Sequence, residues 1–164
     1  MPVSPAVPVA PDRPGDWRSA RWFAPLRPLL QAVGAPDDTA APDWLAALNR
    51  LAAQRGLVGG GGMPLRFVAQ HGLTDLLNYE QRIGQQGLVS TRTEGDGAWH
   101  DWFNGLAWLA YPAIKARLNA LACEVLQRDG GGPVRGNLRD ASTVFDENGV
   151  LFVTADDALA RALR

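Results

Sequence analysis

The sequence predicts a mainly helical α+β domain whose C-terminal β-hairpin packs on a long kinked helix pair. Three observations carry that expectation. The longest run of apolar residues at helical spacing extends from Trp99 to Gln127 and is interrupted once, at Pro112; three shorter helical stripes precede it; and Asn148-Gly149 sits between two short β-prone runs.

Residues 1–16 stand apart from the rest. Pro2, Pro5, Pro8, Pro11 and Pro14 recur at every third position, the repeat of a polyproline II helix. So little apolar material cannot offset the entropy of folding, and the stretch reads as a disordered, semi-rigid arm. Pro8, Pro11 and Arg13 also spell P-x-x-P-x-R, a pattern that docks in the aromatic grooves of SH3-type modules. Residues 17–164 are expected to form one globular domain, because the glycine runs Gly59–Gly62 and Gly130–Gly132 are too short to separate two.

Within that domain, Trp22, Leu26, Leu29, Leu30 and Val33 keep a 3.6 spacing despite Pro25 and Pro28, and Gly34 ends it. Pro42 or Asp43 opens a cleaner helix with Trp44, Leu45, Leu48, Leu51 and Ala52 on one face, closed by Gly56. A short apolar run, Leu65 to Val68, is followed by a predicted helix over Thr74–Ile83 that stops at Gly84. Ala141–Phe145 and Val150–Thr154 are the predicted hairpin strands, with Asp146 and Glu147 as turn residues ahead of Asn148-Gly149. Thr154 and Asp157 resemble a capping pair for a last helix ending at Arg164.

Composition narrows the function classes. The 164 residues are 46% apolar and 20% charged, enough for a real core, since a chain of this size hides roughly 70% of its unfolded surface. Sixteen basic side chains face 17 acidic ones, and Lys115 is the only lysine. Without a basic cluster to neutralise phosphates, nucleic acid is excluded as a partner. No secretory signal and no apolar run near ~18 residues is visible, which excludes a membrane span and points to the cytoplasm. The lone thiol of Cys123 agrees with that compartment. His71, His100 and Cys123 make up the whole supply of His and Cys, too few and too scattered for a zinc or iron site. No metal and no cofactor is therefore expected. A nucleophile elbow is missing, and Gly59–Gly62 is followed by Met63-Pro64 where a phosphate-binding loop needs Lys and a hydroxyl.

The long helix offers one odd feature. On a 100° wheel Trp99, Trp102, Phe103, Leu106, Leu109 and Ala110 fill one side, a core face. His100, Asn104 and Tyr111 share the other, flanked by Trp108 and Asp101, where open solvent would favour long charged side chains. That strip is expected to face protein or a cleft. His100 can serve as general base with Asp101 or Asp140 orienting its ring, while Asn104, Arg92, Arg139 and Glu80 bind an anionic or carbonyl-bearing ligand. The bland alternatives are a hydrogen-bonded packing histidine and, for Arg139, an internal ion pair to Asp101 or Glu80. Pro112 should kink the chain without reversing it, which puts Lys115 roughly 22 Å from His100 along the axis. Lys115 and Asn119, four apart, are expected to pair with each other. Two functions follow: a small hydrolase-like or anionic-ligand-binding domain around His100 and Asn104, or a non-catalytic protein interaction or scaffold domain that uses the six tryptophans and the proline arm.

The segments Tyr79-Glu80, Thr91-Arg92, Trp99-His100-Asp101-Trp102-Phe103-Asn104, Trp108-Leu109, Tyr111-Pro112, Lys115, Leu118-Asn119-Ala120-Leu121, Arg139-Asp140-Ala141 and Phe145-Asp146-Glu147-Asn148-Gly149 come in that order. From about Trp17 onward they resemble a bacterial family known as domain of unknown function 3025. The resemblance implies no particular reaction. Relatives often carry Phe where Tyr111 stands and continue with further aromatic-rich segments, so the resemblance implies a short member of the family or a truncated gene product.

Overall fold

A computed structural model describes residues 18, 20–37, 43–72, 77–128, 137–149 and 154–162. The proline-rich arm, the start of the helix expected at Thr74, Gly130–Gly132 and most of the second hairpin strand lie outside them.

Arg21–Leu26 wind as a 3-10 turn containing Pro25 and run into α1 (Arg27–Val33), which Gly34 ends with φ of 74°. Pro28 falls in the first turn of α1, where its missing N–H leaves no helical bond unmade. Helix α2 (Trp44–Gln54) starts where Asp43 accepts the main-chain N–H groups of Leu45 and Ala46 at 2.9 and 3.2 Å. Its predicted stripe is core: Trp44, Ala47, Leu48 and Ala52 are buried, with Leu45 and Leu51 packed at the margin.

A compact βαβ unit follows, formed by β1 (Arg66–Ala69), α3 (Tyr79–Gln86) and β2 (Leu88–Thr91). The strands pair in parallel, from Arg66 opposite Leu88 to Ala69 opposite Thr91. Asn49 of α2 secures β1 through both Phe67 main-chain groups, each at 2.8 Å. Helix α3 lies later in the chain than the apolar spacing suggests, because Asn78 and Gln81 form a capping box and Gly87, at φ 71°, supplies the left-handed stop. Strand β2 escapes sequence reading, since four residues are too few to display a period.

The long periodic stretch divides into α4 (Asp96–Ala110) and α5 (Pro112–Arg128). Tyr111 leaves the helical region at φ −130°, ψ 53°, as expected before proline. Arg55 donates to the Leu109 carbonyl at 2.9 Å near the end of α4. The halves have different neighbours: α4 lies on α1, α2 and β2, whereas α5 lies on α3 and α6. Trp102, Leu106 and Leu109 are buried as the wheel indicates, and Gly105 lets α4 approach α2 so closely that a Cβ would overlap Leu48.

The C-terminal region corrects the sequence-based expectation. Residues Ala141–Phe145 are not a strand but the middle of α6 (Asn137–Asn148), and Arg139, Asp140, Asp146 and Glu147 are helical rather than flanking a turn. Asn-Gly serves as a helix stop as readily as a hairpin turn. The Gly149 N–H bonds the Phe145 carbonyl at 2.8 Å, in an approach that a Cβ would obstruct. The short α7 (Asp157–Ala162) is capped by Asp156, which accepts from Ala158 and Leu159, instead of by the expected Thr154 and Asp157 pair. The fold is thus a mainly helical α+β arrangement with its small sheet in mid-chain. Among the described residues no helix is long and apolar enough to cross a membrane.

Candidate functional site

The polar strip of α4 meets protein on every turn. Its first turn carries His100 and Asp101, presented to the chain that leaves β2. Asp101 Oδ2 accepts the main-chain N–H of Arg92 at 2.6 Å and its Nε at 2.9 Å; Oδ1 accepts Arg92 Nη2 at 2.7 Å and lies 2.8 Å from His100 Nδ1. All four acceptor positions of the carboxylate are used. The guanidinium fork is bidentate and lies across Gly97, where a Cβ would come within 2.6 Å of Arg92 Cδ. Asp101 is 8% exposed, whereas the His100 side chain is 58% exposed.

These contacts set the charge. Burial alone would raise the Asp101 carboxyl, but hydrogen bonds from Arg92 and His100 outweigh it and hold the group well below the usual carboxylate range. The same bonds raise the Arg92 guanidinium further. Nδ1 lies 2.8 Å from the Asp101 carboxylate and 3.2 Å from Arg92 Nη2; a proton on Nδ1 satisfies the carboxylate, the shorter contact, and leaves the lone pair on Nε2.

One turn further, Asn104 donates through Nδ2 to the Tyr79 hydroxyl at 2.8 Å. Tyr79 as a whole residue is 37% exposed, yet desolvation around its hydroxyl, with the charge of Glu80 next, raises the phenol above its ordinary value. The charges of Asp101 and Asp146 act weakly in the same direction. Another turn on, Trp108 packs beside Lys115 of α5, whose ammonium binds both oxygens of Asp146 of α6 at 2.7 Å.

The expected residues separate into three groups. His100, Asp101 and Arg92 come together, and Asn104 follows one turn away through Tyr79. Glu80 belongs elsewhere: its carboxylate and its carbonyl accept the Asn119 carboxamide at 2.6 and 2.9 Å, while Asn119 Oδ1 accepts the Gly60 N–H. Asn119 therefore joins the glycine loop to α3 and does not pair with Lys115. Asp140 is exposed in the first turn of α6, and the carboxylate found against the His100 ring is that of Asp101. Arg139 lies in α6, with its side chain outside the described residues, and the ion pair offered to Asp101 is made by Arg92. Cys123 donates to the Glu80 carbonyl, and burial, with Glu80 beside it, raises its thiol. Such a thiol is a poor nucleophile.

Sequence reasoning missed Tyr79 and the Lys115–Asp146 pair. Tyr79 was legible as an aromatic on α3, yet nothing local points it at Asn104. For Lys115 the signal was a single lysine amid Ile114, Ala116 and Leu118. Among the described residues no group of His, Cys, Asp and Glu is suited to hold a metal ion.

Comparison with curated proteins and with solved structures gave no match. The family model described as "Protein of unknown function (DUF3025)" matches residues 65–164, the part that holds α3 to α7 and the Arg92, Asp101 and His100 cluster, and the chain belongs to that family.

Proposed function

We propose that this chain is a small hydrolase-like, anionic-ligand-binding domain in which His100 acts as general base. The observation behind it is the His100–Asp101 pair, joined at 2.8 Å while the imidazole remains 58% exposed. With the proton on Nδ1, the Nε2 lone pair is placed to take a proton from water or from a substrate hydroxyl. Asp101 stabilises the imidazolium that results and takes no proton itself, because Arg92 and the main chain already hold its oxygens. Arg92 keeps one amino group, Nη1, uncommitted among the described residues, a donor for an anionic or carbonyl-bearing ligand next to the base.

The test is turnover of p-nitrophenyl acetate and bis(p-nitrophenyl) phosphate by wild type and His100→Gln. Activity should fall about 100-fold or more in the variant, the scale of general-base catalysis. Equal turnover by the two proteins ends this reading. A non-catalytic interaction domain is favoured instead by Val144 and Phe145, 60% and 56% exposed on α6. Under that reading His100→Gln is silent and Phe145→Asp abolishes partner association.

A further inference from the structure

Beyond His100 and Asn104, the same side of α4 ends in a second polar group with different chemistry. Trp108 is 1% exposed, and among the described residues its Nε1–H finds no acceptor. A buried donor without a partner is costly and uncommon. Lys115 Nζ stands 5.6 Å from the centre of that ring, on a side chain only 11% exposed. Its counter-charge comes from Asp146 alone among the described residues, and the Asp146 side chain is 36% exposed, on a helix that rests chiefly on α5.

We propose that Lys115 and Trp108 form a binding position for a small molecule bearing a carboxylate and a further acceptor oxygen, and that Asp146 is a tethered carboxylate occupying the position until such a ligand replaces it. A buried ammonium needs a counter-charge, so the position selects an anion. One carboxylate leaves as another arrives, and the local charge is unchanged. Asp146 is the member able to depart, being the more exposed, while Lys115 is held by its burial. The second acceptor is required because Asp146 satisfies the ammonium but not the indole N–H. Replacement would release the grip of α5 on α6. None of this rests on His100, and a failure of one reading leaves the other standing.

The experiment follows the indole N–H resonance of Trp108 in the full chain, assigned by its loss in Trp108→Phe, during titration with lactate, with chloride at matched ionic strength as control. Wild type should show a saturable shift with lactate and none with chloride. Asp146→Ala should bind lactate roughly tenfold tighter, because a tethered competitor has been removed, and Lys115→Met should not bind. Binding confined to Asp146→Ala, with no saturable shift in wild type, overturns the proposal and makes the ion pair a fixed strut. Should Lys115→Met not fold, equal affinities of wild type and Asp146→Ala overturn it just as well.

Discussion

Trp102 and Trp108 lie six residues apart on one helix, and both are shut away from water at 0% and 1% exposure. Their indole N–H groups have opposite fates. Trp102 donates to the Gly34 carbonyl at 2.7 Å, tying α4 to the end of α1, and its ring meets Phe103 edge-on at 4.8 Å. Trp108 has a cation nearby and no acceptor among the described residues. Burial alone therefore does not mark a residue as structural. A satisfied indole is a fastener; an unsatisfied one, beside a buried ammonium, is a donor kept in reserve.

The comparison can be broken most directly by truncation. Trp102→Ala should cost about 3–5 kcal/mol in denaturant unfolding, the usual loss for a fully packed aromatic. Replacement by Phe sharpens it: Trp102→Phe removes the donor to the Gly34 carbonyl and should lose about 1–3 kcal/mol, whereas Trp108→Phe deletes a donor with no partner among the described residues and should stay within about 1 kcal/mol. Equal losses for the two would erase the distinction.

The other polar groups of α4 give smaller effects. Asp101→Asn should cost about 1–3 kcal/mol at neutral pH, the penalty for leaving hydrogen-bonded partners unmatched. Because folding pulls the carboxyl below its ordinary value of 3.8, its contribution is present above that pH and fades as pH falls through the folded value. The gap between wild type and variant should accordingly narrow on acidification, as read by unfolding at several pH values. A gap that is constant or widens refutes the assignment. Gly97→Ala pushes Arg92 off its seat and should move the Asp101 titration, followed by carboxyl NMR, back toward 3.8, with stability changed by about 1 kcal/mol or less. His100→Ala, at an exposed site, should alter stability by no more than ~0.5 kcal/mol. A larger loss would make the imidazole a packing element.

Where the chemistry of a stretch is local, it was readable. Asp43 ahead of Trp44 and Leu48, the core face of α4, and the break before Pro112 follow from period, cap and proline. The hairpin was misread because Asp-Glu-Asn-Gly suits a turn and a helix end alike, and α5 beside it decided for helix. Half of the His100 cluster was visible, since Asp101 neighbours it in the chain. Arg92 was named as a ligand binder, yet its selection as the clamp on Asp101 depends on β2 pairing with β1 and delivering the chain to the start of α4.

From the residues alone came a mainly helical chain, the buried side of its longest helix, the break before Pro112, and a polar strip too short of charge for open water. Tertiary structure decided which partner each polar group took: Arg92 for Asp101, Tyr79 for Asn104, Asp146 for Lys115 across 31 residues. The reason is one of range. Periodicity and caps arise within a few residues of backbone, whereas hydrogen bonds and ion pairs form only between groups that the packing of separate elements brings to about 3 Å.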